Sequence, residues 1–171
     1  MRLFLALEPP PDLRDALGQL ATAARRHCGG QRVPDENLHL TLAFLGEVDV
    51  ARANRLSGWV SRLRPSPGSW TLDTFGRFHR PGIVWAGGSH PDPLLHGLQA
   101  RLWDELALQG LEPPAKAYTP HVTLVRQAGS LETSVLPDFR LHWHYRQIVL
   151  MRSVLAADGP RYHSLAFSGR S

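Results

Sequence analysis

The sequence contains one short motif twice, and both copies carry groups that can move protons. Residues 39–42 read His-Leu-Thr-Leu and residues 121–124 read His-Val-Thr-Leu, each within an apolar run that predicts a β-strand. Side chains alternate across a strand, so the histidine and threonine of each copy should project from one face, about 7 Å apart. Two such pairs facing each other would surround one anion with a proton donor, a proton acceptor and two hydroxyl donors.

This set of groups suits cleavage of a phosphodiester. Histidine titrates near neutral pH, so His39 and His121 can divide the work of protonating a leaving oxygen and activating a nucleophile. Thr41 and Thr123 would donate hydrogen bonds to the non-bridging phosphate oxygens. Arg126 is a further candidate for a phosphate contact, although a regular strand would direct it to the face opposite His121. The residues themselves leave open which histidine is the acid.

Three neighbouring residues have weaker claims to the site. Phe44 lies five residues after His39 and therefore off its face, which favours core packing over base stacking. Tyr118 and Lys116 precede the second motif on a loop that could border the cleft and contact a nucleotide.

Metal catalysis is the main chemical alternative. Two histidines on facing strands could bind zinc, but a catalytic zinc normally takes a third protein ligand at suitable spacing. The sequence has one cysteine, no His-Glu-x-x-His motif and no phosphate-binding Gly-x-x-x-x-Gly-Lys loop. We therefore expect neither a metal nor a cofactor.

The elements that must position the motifs also occur twice. A strand, a helix and a histidine-bearing strand are predicted in residues 2–45 and again in residues 82–126. Further strands are predicted at 70–78, at 140–156 with a break, and at 161–168; the helices are expected near 12–27, 50–63 and 93–109. Hairpin signals outnumber crossover signals, which favours an α+β fold with mainly antiparallel sheets. We expect residues 1–171 to form one bilobal domain.

Bulk composition is that of a folded protein. The 171 residues are 43% hydrophobic, the net charge is +4, and Lys116 is the one lysine among 19 basic residues. No apolar stretch is long enough for a membrane span, and the lone Cys28 cannot form an internal disulfide. We expect a cytoplasmic monomer with no membrane partner.

The chain resembles the two-histidine phosphoesterases, and within them the RNA 2′,3′-cyclic phosphodiesterases, also called 2′-5′ RNA ligases. The resemblance covers nearly the whole sequence and rests on four blocks. These are RLFLAL at 2–7, HLTLAFLGEV at 39–48, PHVTLVR at 120–126, and a tail from Ser153 that includes Gly-Pro-Arg-Tyr at 159–162.

The resemblance implies a duplicated α+β fold in which two mainly antiparallel sheets, flanked by helices, form a central cleft holding both motifs. It also implies metal-independent hydrolysis of the 2′,3′-cyclic phosphate at an RNA 3′ end to a 2′-phosphate, with reverse 2′-5′ ligation. By motif, His39 would be the proton donor and His121 the proton acceptor. Three alternatives stay open: action on small cyclic nucleotides, action on an ADP-ribose cyclic phosphate, and non-catalytic binding of RNA ends.

Overall fold

A computed structural model describes residues 1–169. These residues form three helices, one short 3-10 turn and ten strands. The helices are α1 (Pro11–Cys28), α2 (Val50–Arg62) and α3 (Pro93–Leu108). The strands are β1 (Arg2–Leu7), β2 (Gln31–Arg32), β3 (Leu40–Glu47), β4 (Gly68–Leu72), β5 (Thr74–Phe78), β6 (Ile83–Gly87), β7 (Val122–Arg126), β8 (Leu141–Tyr145), β9 (Val149–Ala156) and β10 (Gly159–Phe167).

Every strand pairing among these residues is antiparallel, in line with the sequence prediction of mainly antiparallel sheets. The larger sheet has the order β10-β9-β1-β3-β7-β6-β5, with β2 added alongside β7, and β4 pairs with β8 in a separate two-stranded sheet. The strands that follow the two histidines, β3 and β7, are therefore neighbours at the centre of the sheet. They pair at one position, Leu40 with Val122.

The repeated unit predicted from the sequence is present as β1-α1-β3 and β6-α3-β7. The helix of each unit packs against the histidine strand of the other unit: α1 contacts β7, and α3 contacts β3. Each histidine strand is thus supported by the helix of the other unit.

The predicted strand at 70–78 is divided between the two sheets. Its first part, β4, pairs with β8, and its second part, β5, pairs with β6. Asp73 lies at the division: its backbone N–H donates to the Gly87 carbonyl over 2.9 Å, and its carboxylate accepts from the Ser89 N–H over 2.8 Å. The break predicted within 140–156 is confirmed as the gap between β8 and β9.

The large sheet buries its two faces differently. Leu3, Leu5 and Leu7 of β1 join the main core beneath the helices. Phe4 and Ala6 point the other way, into a smaller apolar cluster with residues of β9. That second face carries the candidate site. Within residues 1–169, no helix has both the length and the apolar content that crossing a bilayer requires.

Candidate active site

His39 is held by the short turn that precedes β3. Its ring Nδ1 donates to the Asn37 carbonyl over 2.7 Å. The Asn37 side chain is buried and donates to the Pro160 carbonyl over 2.9 Å, which ties this turn to the β9–β10 hairpin. Arg14 of α1 holds the same turn from below by donating to the Leu38 carbonyl over 3.3 Å. The first imidazole is therefore fixed by contacts from three separate parts of the chain.

His121 is held in the same way in the second unit. It also directly precedes its strand, and its Nδ1 donates to the carbonyl two residues earlier, that of Thr119, over 2.7 Å. Its ring meets Phe78 edge-on, with centroids 5.0 Å apart, and Trp85 at 6.0 Å. Trp85 can lie there because the cross-strand position is Gly76, where any Cβ would clash with the indole.

These contacts determine the reactive nitrogen of each ring. A carbonyl can only accept, so both Nδ1 atoms carry hydrogen and the Nε2 atoms remain for chemistry. In the first unit the Thr41 hydroxyl lies 2.8 Å from His39 Nε2 and donates to it when the ring is neutral. Thr123 makes no corresponding bond to His121 within residues 1–169.

The two motifs meet in one cleft of about 790 Å³. Its lining includes all five candidate residues: His39, Thr41, His121, Thr123 and Arg126. The sequence predicted the convergence of the two histidine–threonine pairs, and the pairing of β3 with β7 produces it. Both imidazoles are half-buried, so they are shielded from bulk water but open to the cleft.

A β-bulge at the same place in both motifs brings a further residue to the cleft. Leu42 has no partner in the β1–β3 register, and Leu124 has none in the β6–β7 register. Each extra residue shifts the alternation by one, so the fifth residue after each histidine returns to the cleft face. That residue is Phe44 in the first motif and Arg126 in the second.

These bulges correct one sequence prediction and decide a second position that the sequence left open. Phe44 does not pack in the core, because 67% of its surface is exposed. Arg126 does not lie on the face opposite His121, because its strand is not regular. The pattern His-x-Thr-x-x-[Phe/Arg] therefore places three side chains in the cleft from each motif.

The predicted loop residues Tyr118 and Lys116 are not among those that line the cleft. Tyr118 is instead a support: its hydroxyl donates to the Thr41 carbonyl over 2.8 Å, and burial raises its pKa. Sequence reasoning missed Phe4 and Tyr162, which flank the His39 ring with centroids at 5.0 and 5.2 Å. Tyr162 lies in the Gly-Pro-Arg-Tyr tail, and that motif was the available signal.

The cleft disfavours positive charge on either ring. Burial, together with the positive charges of Arg126, His121 and Arg14, lowers the pKa of His39 to about 4 against the opposing effect of the Asn37 carbonyl. Burial also lowers the pKa of His121, with Arg126 contributing in the same direction. A phosphate anion placed between the rings would reverse this effect, because it favours the protonated form of both.

Potential metal ligands do not converge in the described part of the chain. Among residues 1–169, no group of three His, Cys, Asp or Glu side chains has a geometry that could hold an ion. The donors that do converge are imidazoles, hydroxyls and a guanidinium, which match a phosphate oxygen better than a cation.

Comparisons with known proteins agree with this geometry. Residues 7–85 match the family model described as LigT-like phosphoesterase. The RNA 2′,3′-cyclic phosphodiesterase of Escherichia coli is 32% identical over 164 residues, which cover 96% of this chain and 93% of that protein. The enzyme of the same name from Thermus thermophilus is 32% identical, covering 95% and 86%. The crystal structure of E. coli LigT complexed with 3′-AMP superposes with a TM-score of 0.83 at 32% identity, covering 97% and 95%.

Proposed function

Since the chain belongs to the LigT-like family of RNA 2′,3′-cyclic phosphodiesterases, we propose that it hydrolyses the cyclic phosphate at an RNA 3′ end to a 2′-phosphate. The observation that carries the assignment is the pair of imidazoles lining one cleft, each with Nδ1 bonded to its own i−2 carbonyl. That arrangement leaves two Nε2 atoms to exchange protons with a substrate lying between them.

The reaction divides between the two rings. His121 Nε2 takes a proton from a water molecule as the water oxygen forms a bond to phosphorus. The bond from phosphorus to O3′ breaks, and His39 Nε2 gives its proton to that oxygen. The product is a 2′-phosphate beside a free 3′-hydroxyl, with the proton now on His121 rather than His39. Proton exchange with solvent restores the starting state.

Three other groups hold the phosphate during this exchange. Thr41 and Thr123 each present a hydroxyl from the residue two positions after a catalytic histidine. Arg126 adds a planar cation that suits the charge of the phosphoryl oxygens. When His39 is protonated, its Nε2 becomes a donor and the Thr41 hydroxyl is released from donating to it.

The same groups can join two RNA ends. With an RNA 5′-hydroxyl in place of water, His121 Nε2 would take the proton of that hydroxyl as its oxygen bonds to phosphorus. The bond from phosphorus to O3′ would break and His39 Nε2 would protonate O3′, leaving a 2′-5′ linkage. We further propose that the protein acts as a cytoplasmic monomer, with residues 1–171 as one bilobal domain. The pairing of β3 with β7 and the packing of α1 on β7 support one unit, and both motifs come from one chain.

A product analysis tests the proposal. The purified protein is incubated with an oligoribonucleotide ending in a 2′,3′-cyclic phosphate, and the ends are compared chromatographically with 2′- and 3′-phosphate standards. We expect the 2′-phosphate. His39→Ala and His121→Ala should each lower the rate of product formation by about a hundredfold or more, while His27→Ala, at the exposed end of α1, should leave it unchanged. A 3′-phosphate product, or none from the unaltered protein, would contradict the proposal.

A further inference from the structure

The cleft extends beyond the two imidazoles on the side of His39. Next to that ring lies Phe4, with the two ring centroids 5.0 Å apart. Beyond Phe4 lies its cross-strand neighbour Phe44, and the centroids of these two phenyl rings are 6.0 Å apart. The cleft then continues to Arg2, the first residue of β1, and to Ser153 of β9, which pairs with Arg2 across the sheet. The continuation is longer than a phosphate and its two proton-transfer groups require.

Arg2 lies on the same face of the sheet as the catalytic groups. It is two residues from Phe4 on β1, so the two side chains share a face about 7 Å apart. Its side chain is exposed, and none of the ion pairs between residues 1–169 includes it. Its cross-strand neighbour Glu47 also lines the cleft, but that carboxylate is 3.4 Å from the Met1 amino group. The Arg2 guanidinium therefore lies in the cleft without an ion pair to any carboxylate of residues 1–169.

Phe44 lies between the imidazoles and Arg2. With 67% of its surface exposed, it offers an aromatic face to the cleft. Nucleobases stack on such faces irrespective of their identity. A nucleoside stacked on Phe44 would have its cyclic phosphate at the histidines and its 5′ oxygen directed toward Arg2.

We propose that Arg2 binds the phosphodiester that joins the last two nucleotides of an RNA substrate, so that the enzyme prefers RNA ends to single nucleotides. The inference rests on the proposed function. It assigns the order of the contacts along the cleft: cyclic phosphate at the imidazoles, terminal nucleoside on Phe44, next phosphate on Arg2.

Three substrates separate these contacts: a nucleoside 2′,3′-cyclic phosphate, the same compound with a 5′-phosphate, and a dinucleotide ending in a cyclic phosphate. The unaltered enzyme should show kcat/KM on the order of tenfold higher for the second and third than for the first. Arg2→Ala should remove that advantage and leave the first substrate unaffected. Arg2→Lys should restore part of it, and Arg55→Ala, an exposed arginine of α2, should change nothing.

Phe44→Ala should affect all three substrates, unlike Arg2→Ala, because each of them carries the terminal base. It should lower kcat/KM for each by a similar factor, roughly tenfold. Salt adds a second readout: for the dinucleotide, the slope of log kcat/KM against log salt concentration should fall by about 0.7 in Arg2→Ala, the value for one single-strand phosphate.

Two results would overturn the inference while leaving the proposed function in place. In one, the unaltered enzyme hydrolyses all three substrates with equal kcat/KM. In the other, Arg2→Ala lowers kcat/KM for all three equally, which would place Arg2 at the cyclic phosphate instead. If no substrate is hydrolysed by the unaltered enzyme, the proposed function itself has failed.

Discussion

The two halves of the cleft share a backbone design and differ in the side chains that it presents. Each half places a histidine just before a strand, bonds Nδ1 to the i−2 carbonyl, and bulges the strand three residues later. The first half ends in Phe44 and the second in Arg126. The shared part places the two imidazoles in equivalent positions, and the fifth residue after each histidine distinguishes the side chains that the two halves present to the cleft.

The surroundings of the rings differ as well. His39 has Thr41 bonded to Nε2 and lies between two aromatic rings, whereas His121 has no such hydroxyl bond within residues 1–169 and lies closer to Arg126 in sequence. Burial and the positive charges of Arg126, His121 and Arg14 lower the pKa of His39 to about 4, whereas, among residues 1–169, Arg126 is the one charge that acts beside burial on the pKa of His121. Equivalent geometry therefore does not make the two histidines electrostatically equivalent.

Loss of either histidine should have the largest effect, and a modified substrate should separate their roles. His39→Ala and His121→Ala should each lower kcat by about a hundredfold or more. In a substrate with sulfur in place of O3′, the leaving group is a thiolate. The pKa of the corresponding thiol is about 8.5, so the sulfur can leave without receiving a proton. With that substrate, the defect of His39→Ala should shrink while that of His121→Ala persists. Steady-state rates on both substrates give the comparison, and the reverse pattern would exchange the two roles.

The pH profile should show the coupling of the two rings. The productive form carries one proton on the pair, so kcat/KM should be bell-shaped and report two macroscopic pKa values of the free enzyme. Because burial lowers both pKa values, the maximum should lie below pH 6.5, with a fall of about tenfold per pH unit on the alkaline side. A bound phosphate raises both values, so the profile of kcat should be displaced to higher pH. Coincident profiles would contradict this coupling.

The two hydroxyls should differ in what their loss does. Thr123→Val should cost about 1.5–3 kcal/mol of transition-state stabilisation, as expected for one hydrogen bond to a charged group. Thr41→Val should cost a similar amount and should also alter the titration of His39, its hydrogen-bond partner. Rates combined with histidine NMR titrations test this difference. If both variants change the titration of His39 equally, the hydrogen bond from Thr41 has no specific effect on that ring.

Arg126→Ala should raise the pKa of both histidines, because the guanidinium charge disfavours their protonated forms. NMR titration of the free protein measures the shifts. Phe44→Ala removes no charge and serves as the matched control, with both pKa values expected to stay in place. Unchanged values in Arg126→Ala would mean that solvent screens this charge from the cleft.

Chelation should have the smallest effect. Excess EDTA should leave kcat and KM unchanged, because the proton transfers require only protein groups. Activity lost to EDTA and restored by zinc would instead assign the two imidazoles as metal ligands.

Local patterns in the sequence predicted the convergence of the two histidine–threonine pairs but not the residues around them. The two motifs predicted that His39 and His121 would share a cleft, since strand alternation needs only adjacent residues. The role of Asn37 could not be predicted, because its partner Pro160 is 123 positions away. The bulges at Leu42 and Leu124 left no local signal, because each is an apolar residue in an apolar run. For that reason Phe44 was misplaced and the face of Arg126 stayed open.

The single paired position shared by β3 and β7 lies next to both histidines. Leu40 and Val122, the paired residues, each directly follow a catalytic histidine. If the two halves rotate about this joint, atoms close to the pivot travel least and atoms at the rim travel farthest. If the cleft mouth widens to admit substrates of different length, the spacing of the imidazoles should therefore change less than the spacing of the rim.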